Sequence, residues 1–115
     1  MIQVHIVHEF AVRARGGDRL PVPELHEQGE RLMDALLDLE KCNDDIADAA
    51  TSSERRGLVA AELVVTAADE GAAVSKFLEV VRTAIHATGG ATLGWPEPFR
   101  AKVDYSLQNV QIEYV

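Results

Sequence analysis

The stretch "LVAAELVVTAADEGAAVSKFLEVVRTAIHATGG" (Leu58–Gly90) decides the fold. Its first ten residues alternate. Val59, Ala61, Leu63 and Val65 hold one parity; Ala60, Glu62, Val64 and Thr66 hold the other. Period two is the signature of a β-strand with one face toward a core. After Asp69 the period changes. Val74, Phe77, Leu78, Val81, Ala84 and Ile85 form the apolar stripe of a helix running to about Ala87. Asp69 suits the N-cap, because its carboxylate accepts a bond from a free N–H of the first turn. Gly89 or Gly90 suits the left-handed position that stops a helix. Glycine-rich phosphate cradles precede a helix, where N–H groups are unpaired. Here the glycines follow one, so they read as a stop and not a cradle.

Working outward, Ile2, Val4, Ile6, His8, Phe10 and Val12 share one parity, a strand with an apolar face. "RARGGDRLPVP" breaks it with two glycines and two prolines. From Pro23 to Lys41, Leu25, Leu32, Met33, Leu36 and Leu37 follow helical spacing. Gly29 within it costs about 1 kcal/mol relative to alanine unless something packs close. Ile46–Ser53 reads as a strand of small residues, and "ERRG" (Glu54–Gly57) as a turn. In the tail, Val103, Tyr105 and Leu107 hold one parity and Val110, Ile112 and Tyr114 the other. The flip at Gln108–Asn109 fits either one bulged strand or two short strands. The order β-α-β-β-α-β predicts an α+β, ferredoxin-like single domain over residues 1–115. Its sheet would have four antiparallel strands in the order 4-1-3-2, with both helices on one face.

Composition bounds the function. A chain of 115 residues with 47% apolar and 26% charged residues is ordinary for a globule, and it can build a core without disulfides or metal. The net charge of −8 disfavours binding to nucleic acid and to anionic membranes. A single cysteine, Cys42, excludes an intrachain disulfide and the CxxC readings; it is expected to be semi-buried. No signal-like or membrane-length apolar run is present, so the expected location is the cytoplasm. No cofactor or metal is expected.

The topology gathers three loops at one end of the sheet. They carry Arg13, Arg15, Arg19, Arg55, Arg56 and Arg100, with Trp95 among them. Guanidinium groups suit phosphate and tryptophan can stack on a base, so these seven residues are the candidate nucleotide or phosphate site. On the open sheet face His5, Glu62 and Glu113 fall on neighbouring strands, a candidate acid–base cluster. His5 and His8 point to opposite faces and cannot share one metal. His8 is expected to be packed. His86, near a helix C-terminus, sits where the helix dipole favours a cation.

"AIHATGGATLGWP" (Ala84–Pro96), at the end of a helix that follows "VVTAADE", resembles a segment of small uncharacterised actinobacterial proteins that look ferredoxin-like. The resemblance spans the second predicted strand to Trp95 and implies the fold. It carries no activity, so no catalytic residue transfers. Three functions are thus expected in order. The first is a non-enzymatic homo-oligomeric interaction module, a dimer through the edge strand 110–115 or the open sheet face. "VQIEYV" has high β propensity and no proline or lysine to blunt an edge. The second is a small-anion binder using the arginine-rich end. The third is a small dimeric α+β barrel enzyme working on the open face.

Overall fold

The computed structural model describes residues 1–54, 56–92 and 103–115. Among them the elements run β1 (Ile2–Ala14), α1 (Val22–Cys42), β2 (Ile46–Glu54), β3 (Leu58–Ala67), α2 (Glu70–Ala87), β4 (Gly90–Thr92) and β5 (Val103–Tyr114). The molecule is α+β: two helices lie on one face of a five-stranded mixed sheet. The even residues of β1 and the odd residues of β3 are buried beneath the helices, as their alternation requires.

The strand count and order differ from the expected four strands in the order 4-1-3-2. The observed order is β2-β3-β1-β5-β4. β1 pairs antiparallel with β3 on one side and β5 on the other, and β2 pairs antiparallel with β3. The additional strand, β4, pairs parallel with β5, Gly90–Thr92 against Val103–Tyr105. Three residues carry no readable period. What makes them a strand is packing: a Cβ on Gly90 would lie 2.8 Å from Ile85 and 2.9 Å from the Tyr105 ring. The tail is one bulged strand. Glu9 faces Asn109 while Phe10 faces Leu107, so Gln108 is the extra residue. The unbroken 13-residue β1 gives both halves of β5 a partner, which removes the need for a turn.

The helix ends follow their local chemistry. The Asp69 carboxylate accepts the Ala72 N–H at 2.8 Å. Thr88 is the C-cap of α2 and Gly89, at φ +84°, supplies the left-handed residue after it. α1 begins behind Pro21, with Pro23 in its first turn, where the missing N–H has no cost. Its buried side is Leu25, Gln28, Gly29, Leu32 and Leu36. Gly29 faces β2: Thr51 Oγ1 donates to the Gly29 carbonyl at 3.1 Å. A Cβ there would meet Ser53 Cβ at 3.9 Å, an ordinary contact. Gly29→Ala is therefore expected to raise stability by about 0.5–1 kcal/mol, measured by urea denaturation. A decrease would mean that α1 and β2 need the closer approach.

Two smaller expectations are corrected. Cys42 is exposed: it is the last residue of α1 and lies beyond the helix's buried residues, Leu25 to Leu36. At His86 the balance runs against a cation: burial first and the neighbouring Arg82 second push its pKa below the usual 6.5.

Candidate functional site: the outer half of β5

β5 changes character along its length. Val103 and Tyr105 are buried, whereas everything from Ser106 onward is exposed. The register explains how. Tyr105 and Leu107 face Val12 and Phe10, and Val110, Ile112 and Tyr114 face His8, Ile6 and Val4. The bulge thus restores the parity that the sequence loses, and all five side chains stand on the helix face of the sheet. Yet Leu107 is 48%, Val110 41%, Ile112 37% and Tyr114 62% exposed. Seven large apolar side chains are exposed among the described residues, and five of them lie in 107–115. α2 covers β1, β3 and β4 but not this part of β5.

The flank of α2 nearest the uncovered strand carries apolar residues together with Arg82, whose charge acts on His8 opposite Val110. Ile85 on that flank meets β4, whereas Lys76 on the opposite flank reaches Asn43 at 2.8 Å and Asp45 at 3.5 Å. Helical spacing puts Val74 and Leu78, both half-buried, on the Ile85 side. The result is an apolar shelf, with Val110, Ile112 and Tyr114 as its floor and α2 as its wall.

Among the described residues the edge of β5 beside the shelf has no strand partner; β4 pairs with Val103–Tyr105, which corrects the expectation that the C-terminal strand is an edge throughout. Further along, the Val115 N–H donates to the Gln3 carbonyl at 3.0 Å. In an antiparallel ladder the pairing alternates, so Gln111 and Glu113 also turn their backbone groups toward β1. Those of Val110, Ile112 and Tyr114 then point outward. Consistent with this, the Val110 N–H donates to its neighbour Asn109 Oδ1 at 3.0 Å. The opposite edge, β2, is interrupted. A register shift between Ala47 and Ala50 holds Asp48 at φ +55°, and a charged, bulged edge resists pairing.

The sheet face away from the helices carries the other expected cluster. His5 Nε2 lies 3.8 Å from Glu62 Oε2, beyond hydrogen-bond range, and His5 is in register with Glu113. All three are at least partly solvent-exposed, the condition in which water screens a cross-strand pair and it contributes little to stability. Cavities of about 470 and 330 Å³ open at the Met1–Lys76 end and beside Gln28 and Thr88; neither is lined by His5, Glu62 or Glu113. Among the described residues no group of three His, Cys, Asp or Glu is placed to hold a metal ion. No helix among them is long and apolar enough to cross a membrane.

The arginine-rich end is partly assembled. Arg13, Arg19 and Arg56 line one small cleft. Arg15 turns away to an ion pair with Asp104 at 3.0 Å. Arg55, Trp95 and Arg100 lie outside the described residues.

Two arrangements are invisible in the sequence. Ser53 Oγ and His26 Nδ1 lie 2.6 Å apart across β2 and α1. Among the described residues no carboxylate bonds the far ring nitrogen, so the pair lacks the orienting group of a nucleophilic triad. Gln28, on the buried side of α1, donates to Tyr105 Oη at 2.8 Å and Thr88 Oγ1 at 2.9 Å, tying α1, β5 and the end of α2 together. Burial, opposed by these polar partners, pushes the Tyr105 hydroxyl up to about 12, so it stays protonated. A polar residue on the apolar stripe of α1 was the only signal for this network.

No protein-family model, curated protein or solved structure matches the chain.

Proposed function

We propose that the chain is a non-enzymatic, self-associating module that dimerises through the outer edge of β5. The observation that carries this reading is the coincidence of two unsatisfied surfaces. The same three residues, Val110, Ile112 and Tyr114, turn their backbone groups outward, where Asn109 Oδ1 accepts from the Val110 N–H, and place apolar side chains on the shelf. Edge pairing satisfies the first and burial the second, in one event.

The register follows. A two-fold axis through Ile112 sets Ile112 against itself and Val110 against Tyr114 of the second copy, so each of these three residues meets an apolar partner. The partner's Val115 then lies opposite Asn109. With Val110 on the axis instead, the partner's Val115 would stand opposite Tyr105, which β4 already pairs. With the axis normal to the sheet, the helices of both copies lie on one side. The two α2 flanks, each carrying Val74 and Leu78, then face each other over a continuous sheet. The open sheet face, with His5, Glu9, Glu62 and Glu113, is the less apolar alternative.

The module is read as a ferredoxin-like core extended by β4. The resemblance of Ala84–Pro96 to a segment of small actinobacterial proteins favours that reading, and β4 (Gly90–Thr92) falls within the stretch. The exposed thiol of Cys42 suits a reducing, cytoplasmic setting.

Ile112→Lys tests the reading. It places two ammonium groups opposite one another at the axis, and the expected result is a dissociation constant weaker by at least about 100-fold, roughly 3 kcal/mol. Sedimentation equilibrium of both proteins at micromolar concentration measures it, with circular dichroism to show that the fold is retained. A monomeric wild-type chain would overturn the proposal. So would a variant that still dimerises.

A further inference from the structure

The turn "RARGGDR" (Arg13–Arg19) folds back on itself. Gly16 and Gly17, at φ +101° and +96°, reverse the chain. The Ala14 N–H donates to the Asp18 carbonyl, and the Gly17 N–H to the Ala14 carbonyl, each at 2.9 Å. The reversal sets Arg19 directly against Arg13 as an isolated antiparallel pair. A third arginine comes from the β2–β3 turn. Arg56 lines the same cleft, of about 30 Å³, with Leu20 and Gly57 beside it.

This convergence opposes stability as the chain stands. Like charges directly opposite one another weaken a strand pair. Little among the described residues offsets them. Glu54 holds Arg56 at 3.0 Å. Arg13 has one long bond, 3.4 Å, to the Gly17 carbonyl. Asp104, opposite Arg13 on β5, is engaged by Arg15. Asp18, in the turn itself, makes no ion pair with any of the three among the described residues, and Arg19 makes no hydrogen bond or ion pair there. The chain carries a net charge of −8, so three arginines at one point do not follow from a basic composition.

We propose that Arg13, Arg19 and Arg56 form a binding site for one oxyanion group, phosphoryl or carboxylate. Guanidinium forks match the paired oxygens of both. A cleft of about 30 Å³ is close to the volume of one water, so it admits the oxygens of a head group and excludes an aromatic ring. The body of the ligand therefore lies outside the cleft. The site stands at the Ala14 end of β1, away from the Val110–Tyr114 edge, and is independent of self-association.

Thermal unfolding with sodium phosphate or sodium acetate, against sodium chloride at equal ionic strength, tests the proposal. For the wild-type chain a saturable rise in Tm of about 5 °C is expected at ten times the Kd. A rise with phosphate alone assigns a phosphoryl ligand, and a rise with acetate alone a carboxylate. In Arg19→Gln the rise should be lost, while the Tm without either anion should be no lower than wild type, because the opposed charges are relieved. That sign separates an anion site from a structural arginine. Equal rises in both proteins, no saturable rise in the wild type, or a lower anion-free Tm in Arg19→Gln would overturn the proposal.

Discussion

Acidification from pH 7 to pH 4 is expected to remove up to about 3 kcal/mol of stability through His8 alone. The imidazole is 2% exposed, and its Nδ1 has no hydrogen-bond partner among the described residues. It packs against Phe77 at 4.4 Å and Phe10 at 5.9 Å between ring centroids. Burial first, and the Arg82 charge second, lower its pKa from 6.5 to about 4. The unfolded chain therefore binds the proton more readily than the folded one. The contribution is intact above pH 6.5 and fades as the pH falls toward 4. Carboxylates titrate in the same range, so the readout is a difference between two proteins. His8→Leu should be at least as stable as wild type at neutral pH, since it removes an unsatisfied buried nitrogen. Its stability should fall less between pH 6.5 and pH 4. Parallel curves for the two proteins would refute the assignment.

Gly90→Ala is expected to cost about 2–3 kcal/mol, on the order of 10 °C in Tm. The added methyl would stand 2.8 Å from Ile85 Cγ2 and 2.9–3.0 Å from two atoms of the Tyr105 ring. Ile85 is fully buried and Tyr105 is held by Gln28, so neither can yield cheaply. Gly89→Ala should cost only about 1–2 kcal/mol, the penalty of a left-handed alanine, because no atom lies within 4 Å of its Cβ position. Scanning calorimetry of the two variants checks the ranking. A milder loss at Gly90 than at Gly89 would mean that β4 does not pack as described.

These adjacent glycines mark how far the sequence can be read. A stop at Gly89 or Gly90 is legible because a helix stop is a local conformational need, written four or five residues after Ile85 ends its stripe. The packing at Gly90 is not, because its constraint is a ring from β5, distant in the chain. The arginine-rich end divides the same way. Loop positions in the topology bring Arg13, Arg19 and Arg56 to one end. Only the reversal at Gly16–Gly17 opposes Arg19 to Arg13, and it is a residue of β5, Asp104, that pairs with Arg15. On the open face, His5 and Glu62 meet as their parity implies, though not closely enough to bond.

Strand and helix periods, the Asp69 cap, the buried parity of β1 and β3 and the pairing-competent "VQIEYV" were determined by the sequence alone. Each depends on a residue's near neighbours and on a repeat of two or 3.6 residues. The tertiary structure decided the fifth strand, the single bulged β5 and the exposed apolar shelf. All three depend on what lies across the sheet. β1 is long enough to hold both halves of β5, and α2 leaves the outer half uncovered. Periodicity marks which side chains leave one face of a strand together; it carries no information on whether a helix is there to meet them.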